Sequence, residues 1–452
     1  MKYLTRGVVF YLAVTLLTAC GGSSDSDEVQ LPQAHLRIIN AVPDAPVMTF
    51  SLGEEVGAVS GIDYAAGSGL ASVDADSYVG IFSGNLPDEG NTDLTDPLDL
   101  VLAEDVHYEV VLLGDYASLE TQVYEEPVDF DSTLGRIKIA HFGKALPPVE
   151  IHVSGASEPI GASVVVESLE YKEAIAATTL DAGTYRVRIT PVASDEVIYD
   201  SGEITLNAGS DLFMGVMDNA WIVNASDAQS PIVLSIFSGG GQSVLFDKDR
   251  AAYVRTVHVS ADAPALDVFI DDNFASPIAE NLSYGDYTSL HSTLPKAQLD
   301  LLVSETGNTT PLVDKIIDLR DGGSYTMLLF GLLADEGIEP AFMSDSPRSI
   351  ASQASYRLVN LLTGDAELDM YVVATGASIA EETPVVDEFE SPSYSQYYAS
   401  AAGDFDLVVT ETGSETPLMA PIPLNFALGE NYTIIVRDGV NLTAPTATTI
   451  TD

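Results

Sequence analysis

The residues best suited to chemistry sit in one short segment, VRTVHVSADAPALDVFIDD, residues 254–272. His258 ends an apolar run, Asp262 follows in a Pro-containing stretch, and Asp267 opens the next alternating run. An imidazole beside two carboxylates could build a metal site or a general acid/base pair. The chain repeats the phrase, however, and the copies change the chemistry. His258 becomes Asn40, His141 and Asn360, while Asp267 becomes Met48, Glu150 and Asp369. Asn and His share hydrogen-bonding capacity more than metal affinity, and an Asp in a Pro-containing turn usually accepts a backbone N–H. Loop bracing is therefore the favoured reading of the segment.

The elements that position these residues recur four times. A basic residue, two mostly apolar residues and then Asn or His appear at Arg37–Asn40, Lys138–His141, Arg255–His258 and Arg357–Asn360. The steps between anchors are about 101, 117 and 102 residues, a period of tandem domains rather than of solenoid repeats. Each anchor is followed by a second alternating segment: VMTFSL from Val47, VEIHVS from Val149, LDVFID from Leu266 and LDMYVV from Leu368. Such alternation marks half-buried strands. Tyrosines recur mid-domain at Tyr64, Tyr171, Tyr284 and Tyr394, and each copy nears its end with a strongly apolar strand.

Many short strands separated by turn signals, with no sustained helical period, predict an all-β chain. The expected fold is four tandem immunoglobulin-like antiparallel β-sandwich domains after a lipoprotein signal peptide. The expected boundaries are 1–19 signal peptide, 20–34 lipidated Cys and tether, 35–130, 135–248, 253–350 and 355–452. One Cys and one Trp leave no antibody-type disulfide core. Loose composition at 125–133, 238–252 and 344–355 suggests short linkers, hence a rod-like string with limited bending.

Arg-x-Val-His, a Ser/Pro-Asp-Ala-Pro loop and Leu-Asp-Val-Phe-Ile together resemble the repeat of the bacterial domain-of-unknown-function family 4397. The likeness is strongest over 253–331 and weakest over 135–217, where FGKALPP replaces the usual loop. It implies an immunoglobulin-like sandwich in an exported or lipid-anchored protein, and it brings no activity.

Residues 1–20, MKYLTRGVVFYLAVTLLTAC, place Lys2 and Arg6 before an apolar run that ends in small residues and Cys20. The run is too short to span a bilayer and reads as an export signal. It resembles the bacterial lipoprotein signal, which implies a diacylated (palmitate-type) Cys20 as the first mature residue. An acyl chain contributes about 0.8 kcal/mol per buried methylene, so several chains on one Cys would hold a membrane. Gly21 at the next position resembles lipoproteins sorted to the outer membrane, with the domains facing outward or into the periplasm.

The formal net charge of −50 repels phosphate backbones, which argues against nucleic-acid partners. Acidity of this kind suits solubility in salty surroundings and is also compatible with calcium, for which Asp271 and Asp272 are weak candidates. Catalytic signatures are missing: no Gly-x-Ser-x-Gly, no His-Glu-x-x-His, no phosphate loop with its Lys. Tyr284 and Tyr287 in LSYGDYTSL, with Tyr394, Tyr397 and Tyr398 in SPSYSQYYAS, could form exposed platforms for sugar rings, although Tyr is also an ordinary strand residue. The expectation is a non-catalytic cell-envelope spacer or interaction module, with envelope proteins or polysaccharides as partners. The alternatives are a carbohydrate-binding or adhesive surface protein and, third, an envelope hydrolase.

Overall fold

The computed structural model describes residues 32–451, apart from 225–228, 365–366 and 441; the signal and Cys20 lie outside the described residues. The chain is all-β. Among the described residues eight sheets of four or five strands form four pairs, one pair for each repeat of the sequence phrase. In every repeat the first strand (Gln33–Asn40, Gly135–His141, Ala252–His258, Ala354–Leu361) lies in one sheet. The second strand (Met48–Leu52, Val149–Gly155, Leu266–Ile270, Leu368–Ala374) lies in the facing sheet. The loop between them crosses from one layer to the other, which explains its Pro and Asp content. Among the described residues no helix is long and apolar enough to cross a membrane.

Two features depart from a purely antiparallel reading. The first strand pairs in parallel with the apolar strand near the end of its repeat: Arg37 opposes Glu109, Lys138 opposes Phe213, Arg255 opposes Thr326 and Arg357 opposes Thr433. A parallel pair must be joined by a long crossover, here the whole facing sheet. Secondly, in the first repeat the residue opening the second strand is Met48, which pairs with Ile62 as Leu266 pairs with Leu282. The counterpart of Asp267 is therefore Thr49 and not Met48. A slip of one residue exchanges the faces of a strand, and Met48 is fully buried.

Each sandwich has its own core, such as Ile38, Met48, Phe50, Phe82, Val110 and Leu112 in the first repeat. The strand pattern buries alternate residues, each contributing about 1.5–3 kcal/mol when a large aliphatic or aromatic side chain leaves water. Two further clusters straddle repeats. Ile39, Tyr64, Val111, Leu113 and Tyr124 of the first repeat pack with Phe142, Phe213, Met217, Val233 and Phe237 of the second. Val257, Val259, Leu328 and Met343 of the third pack with Val359, Leu361, Ile435 and Ile450 of the fourth. Both faces of these sheets are thus buried, and strands such as Ala252–His258 and Ala354–Leu361 are buried at every residue. The repeats associate as two face-to-face pairs, which corrects the expectation of a rod-like string.

The expected linkers are also structured. Residues 238–252 include the strand Gly241–Leu245, so Gly239 and Gly240 form the tight turn of a hairpin. In 344–355, Arg348 and the side chain of Asp345 are buried, and the Arg348 guanidinium donates to Ala45 O (2.8 Å) and Pro43 O (3.1 Å) in the first repeat and pairs with Asp63. Asn224 of the second repeat donates to His291 O of the third (2.8 Å).

Candidate functional site

His258 is wholly buried: its Nε2 lies 3.0 Å from Pro264 O and its Nδ1 accepts the Ser260 N–H at 3.3 Å. Asn40 and Asn360 have the same division of labour. Their side-chain amides donate to Ile62 O and Phe389 O, and their oxygens accept the N–H two residues on, of Val42 and Leu362. One donor and one acceptor at the layer crossing is what Asn and His share. Burial holds the imidazoles of His141 and His258 below their usual pKa, so both favour the neutral form.

Asp262 accepts the N–H groups of Leu333 (2.7 Å) and Ala334 (2.9 Å), tying the crossing loop to the loop after the parallel strand. Asp267 accepts from Asn281 N (2.7 Å) and Gly307 N (2.9 Å), and Asp369 does the same for Glu388 N (3.1 Å) and Gly413 N (2.9 Å). Asn281 and Glu388 sit at a strand irregularity with φ of 51° and 47°, a conformation that costs energy for a residue with a Cβ. The carboxylate bonds offset that strain. Asp271 and Asp272 occupy a turn with positive φ, where Asp271 Oδ1 accepts Asp300 N at 2.9 Å. Among the described residues no group of three His, Cys, Asp or Glu is arranged to hold a metal ion.

Of the five platform tyrosines, Tyr287 and Tyr394 are exposed and the other three are partly buried. Tyr284 donates its hydroxyl to Asp438 O in the fourth repeat, Tyr397 lies under the Arg357 guanidinium at 4.9 Å, and Tyr398 packs on Tyr356 at 5.7 Å. Tyr394 is moreover not the counterpart of Tyr64 and Tyr284. Strand register puts Ser391 at that position, where its hydroxyl stays within its own repeat by donating to Leu362 O.

The arrangement that sequence reasoning missed lies on the seams between paired repeats. The anchor bases cross them. Arg37 donates to Ser238 O (2.9 Å), Lys138 to Glu125 O (2.8 Å) and Glu126 (3.1 Å), and Arg357 to Ser344 O (2.8 Å) and Asp345. The aberrant loop FGKALPP is a seam contact too: Phe142 enters the shared core, and Lys144 reaches Asp115 and Ser118. Lys172 pairs with Glu120, and Arg437 covers the Tyr284 ring at 4.5 Å. At least seven of 18 lysines and arginines thus join one repeat to another, although the surface carries a large excess of acid. The signal for this was the invariance of a base in four anchors that otherwise vary.

On the first–second seam these groups line a cavity of about 360 Å³. Arg37, Lys138 and His107 line it, each in contact with a carboxylate of Glu109, Glu126 or Asp211, with Tyr124 and Phe213 as its apolar part. Arg37 pairs with Glu109 at 3.3 Å, and His107 and Arg136 both hold Asp211. Burial, only partly opposed by Arg37, pushes the Glu109 carboxyl up to about 7. Asp211 is also penalised by burial, but hydrogen bonds from Arg136 and His107 hold it down to about 2. Glu109 Oε2 is buried without a hydrogen-bonding partner.

The family model described as a domain of unknown function (DUF4397) matches residues 34–152 and 252–371, more than half of the chain. The protein belongs to the DUF4397 family. Each match covers the first sandwich of a seam pair and ends within the second strand of the next, so the DUF4397 match falls at the same place in both pairs. No curated protein matches the chain in sequence. Three solved structures show remote likeness. The Bacillus anthracis TIE protein has 10% identity over 90% of this chain and 68% of its own, with a TM-score of 0.15. A streptococcal virulence factor, described by its α-glucan binding, has 12% identity over 41% and 92%, with a TM-score of 0.16. A putative cell adhesion protein of Bacteroides eggerthii has 11% identity over 70% and 95%, with a TM-score of 0.14.

Proposed function

We propose that this DUF4397 protein is a non-catalytic, exported module, anchored by lipid on Cys20 and holding a rigid β-body at the cell envelope as a spacer or interaction surface. The observation that carries the reading is the commitment of the domain signature to framework. His258, Asp262 and Asp267 each engage backbone groups, so the residues with the most chemical potential are occupied in holding layers together. Rigidity supports the same reading, because the seams bury apolar clusters where independent domains would move. An outer-membrane location follows from the residues around Cys20 and from no structural contact.

The test is Cys20→Ala followed by fractionation and by protease treatment of intact cells. Release of the variant from the membrane fraction is the expected result, and digestion of the wild type would place the body outside the cell. A variant that stays with the membrane as firmly as the wild type would overturn the anchoring.

A further inference from the structure

We propose that the cavity between the first and second repeats is a binding site for a small neutral polyhydroxylated molecule, a sugar ring or a cyclic polyol. The inference goes beyond the structural role proposed above and does not depend on it. Its first basis is an internal control. The two seams are built alike: Lys138 reaches Glu125 O and Glu126 as Arg357 reaches Ser344 O and Asp345, and Glu109 holds the register position of Thr326. On the third–fourth seam the polar groups gather on one buried carboxylate. Asp345, with its side chain 1% exposed, is bonded by Thr326 (2.9 Å), His291 (3.2 Å) and Arg357. On the first–second seam the same positions enclose open volume, and Glu109, only 7% exposed, keeps Oε2 unpartnered. An unmet buried oxygen costs about 1–3 kcal/mol, and a ligand hydroxyl recovers it once the Glu109 carboxylate turns that closed-off oxygen toward the cavity.

The lining selects the ligand class. A cation would meet Arg37 and Lys138, and an anion would meet Glu109, Glu126 and Asp211 within a chain of net charge −50. A neutral molecule with several hydroxyls can donate to the carboxylates and accept from the two bases at once. Tyr124 and Phe213 offer an apolar surface suited to the C–H face of a ring. The volume lies at the lower end of the ~300–1,000 Å³ found for small-molecule sites, which suits one or two rings and no long chain. Gly239 and Gly240, in the hairpin turn, line the cavity and leave room around themselves, since a Cβ on either would meet nothing within 4 Å.

The experiment is ligand-observed NMR and calorimetry on the full-length protein with glucose, galactose, N-acetylglucosamine and myo-inositol, against glucosamine and glucuronate as charged analogues. At least one neutral probe should bind, and both charged analogues should bind more weakly. Glu109→Ala should weaken the neutral probe by about tenfold, the loss of one buried hydrogen bond. Gly240→Trp, a change in an exposed turn, should block entry while leaving the thermal transition in place. The proposal is overturned if no neutral probe binds, if a charged analogue binds best, or if both variants bind as the wild type does.

Discussion

The Tyr284 hydroxyl donates to the backbone carbonyl of Asp438, 154 residues away in the next repeat. Tyr64 and Asp218 make the same bond at the same separation, so the two seams are one construction used twice. Both tyrosines stand where the chain re-enters beside the anchor strand, and the carbonyl each reaches ends the neighbour's parallel strand or lies just within that end.

Tyr284→Phe removes this bond and keeps the ring under Arg437. The expected loss is about 1 kcal/mol, because the Asp438 carbonyl keeps only its longer bond from Arg437 Nη1 at 3.3 Å. Amide hydrogen exchange across 431–439 should speed up by about fivefold or more, while exchange in the first repeat stays unchanged.

Asp345→Ala strands the Arg357 guanidinium, 1% exposed, without its carboxylate. Breaking a buried pair from one side costs about 3–5 kcal/mol, so the third and fourth repeats should unfold at clearly lower urea. Asp345→Asn still accepts from Thr326 and should lose less.

Stability of the first–second seam should peak between about pH 4 and 5. Glu109, facing Arg37, Lys138 and Asp211, is raised from 4.5 to about 7, so the folded state holds the extra proton and stability falls as pH rises through that window. Asp211 is lowered from 3.8 to about 2, so its contribution is lost as pH falls through that lower window. Melting curves across pH 2–8 test both arms, and Glu109→Gln should flatten the upper one.

Asp267→Ala leaves the Asn281 and Gly307 N–H groups without their carboxylate and the positive φ of Asn281 unsupported. A loss of about 1–3 kcal/mol is expected, visible as a lower melting temperature, with Asp267→Asn intermediate.

Exchange of Ca²⁺ for EDTA should leave the melting temperature unchanged, because Asp271 is occupied as a turn acceptor for Asp300 N. A shift of several degrees would show that the acidic turns bind the ion.

Much of the fold was legible because strand alternation is local: the anchors, second strands and late apolar strands all lie where their period-two pattern puts them. The seams were not legible. Ile39, Val111 and Phe213 read as the ordinary outward side of a strand until another sheet covers them.

The sequence by itself determined the all-β class, the fourfold phrase, the acidity and the kind of group at each layer crossing, because these depend on neighbours along the chain. Only the tertiary structure decided what the anchor bases do and where a cavity opens. Arg37, Lys138 and Arg357 look alike in sequence, and their partners lie in other repeats. One seam closes on Asp345 and the other leaves Glu109 unmet because of which side chains two distant strands bring face to face, a quantity that no local pattern carries.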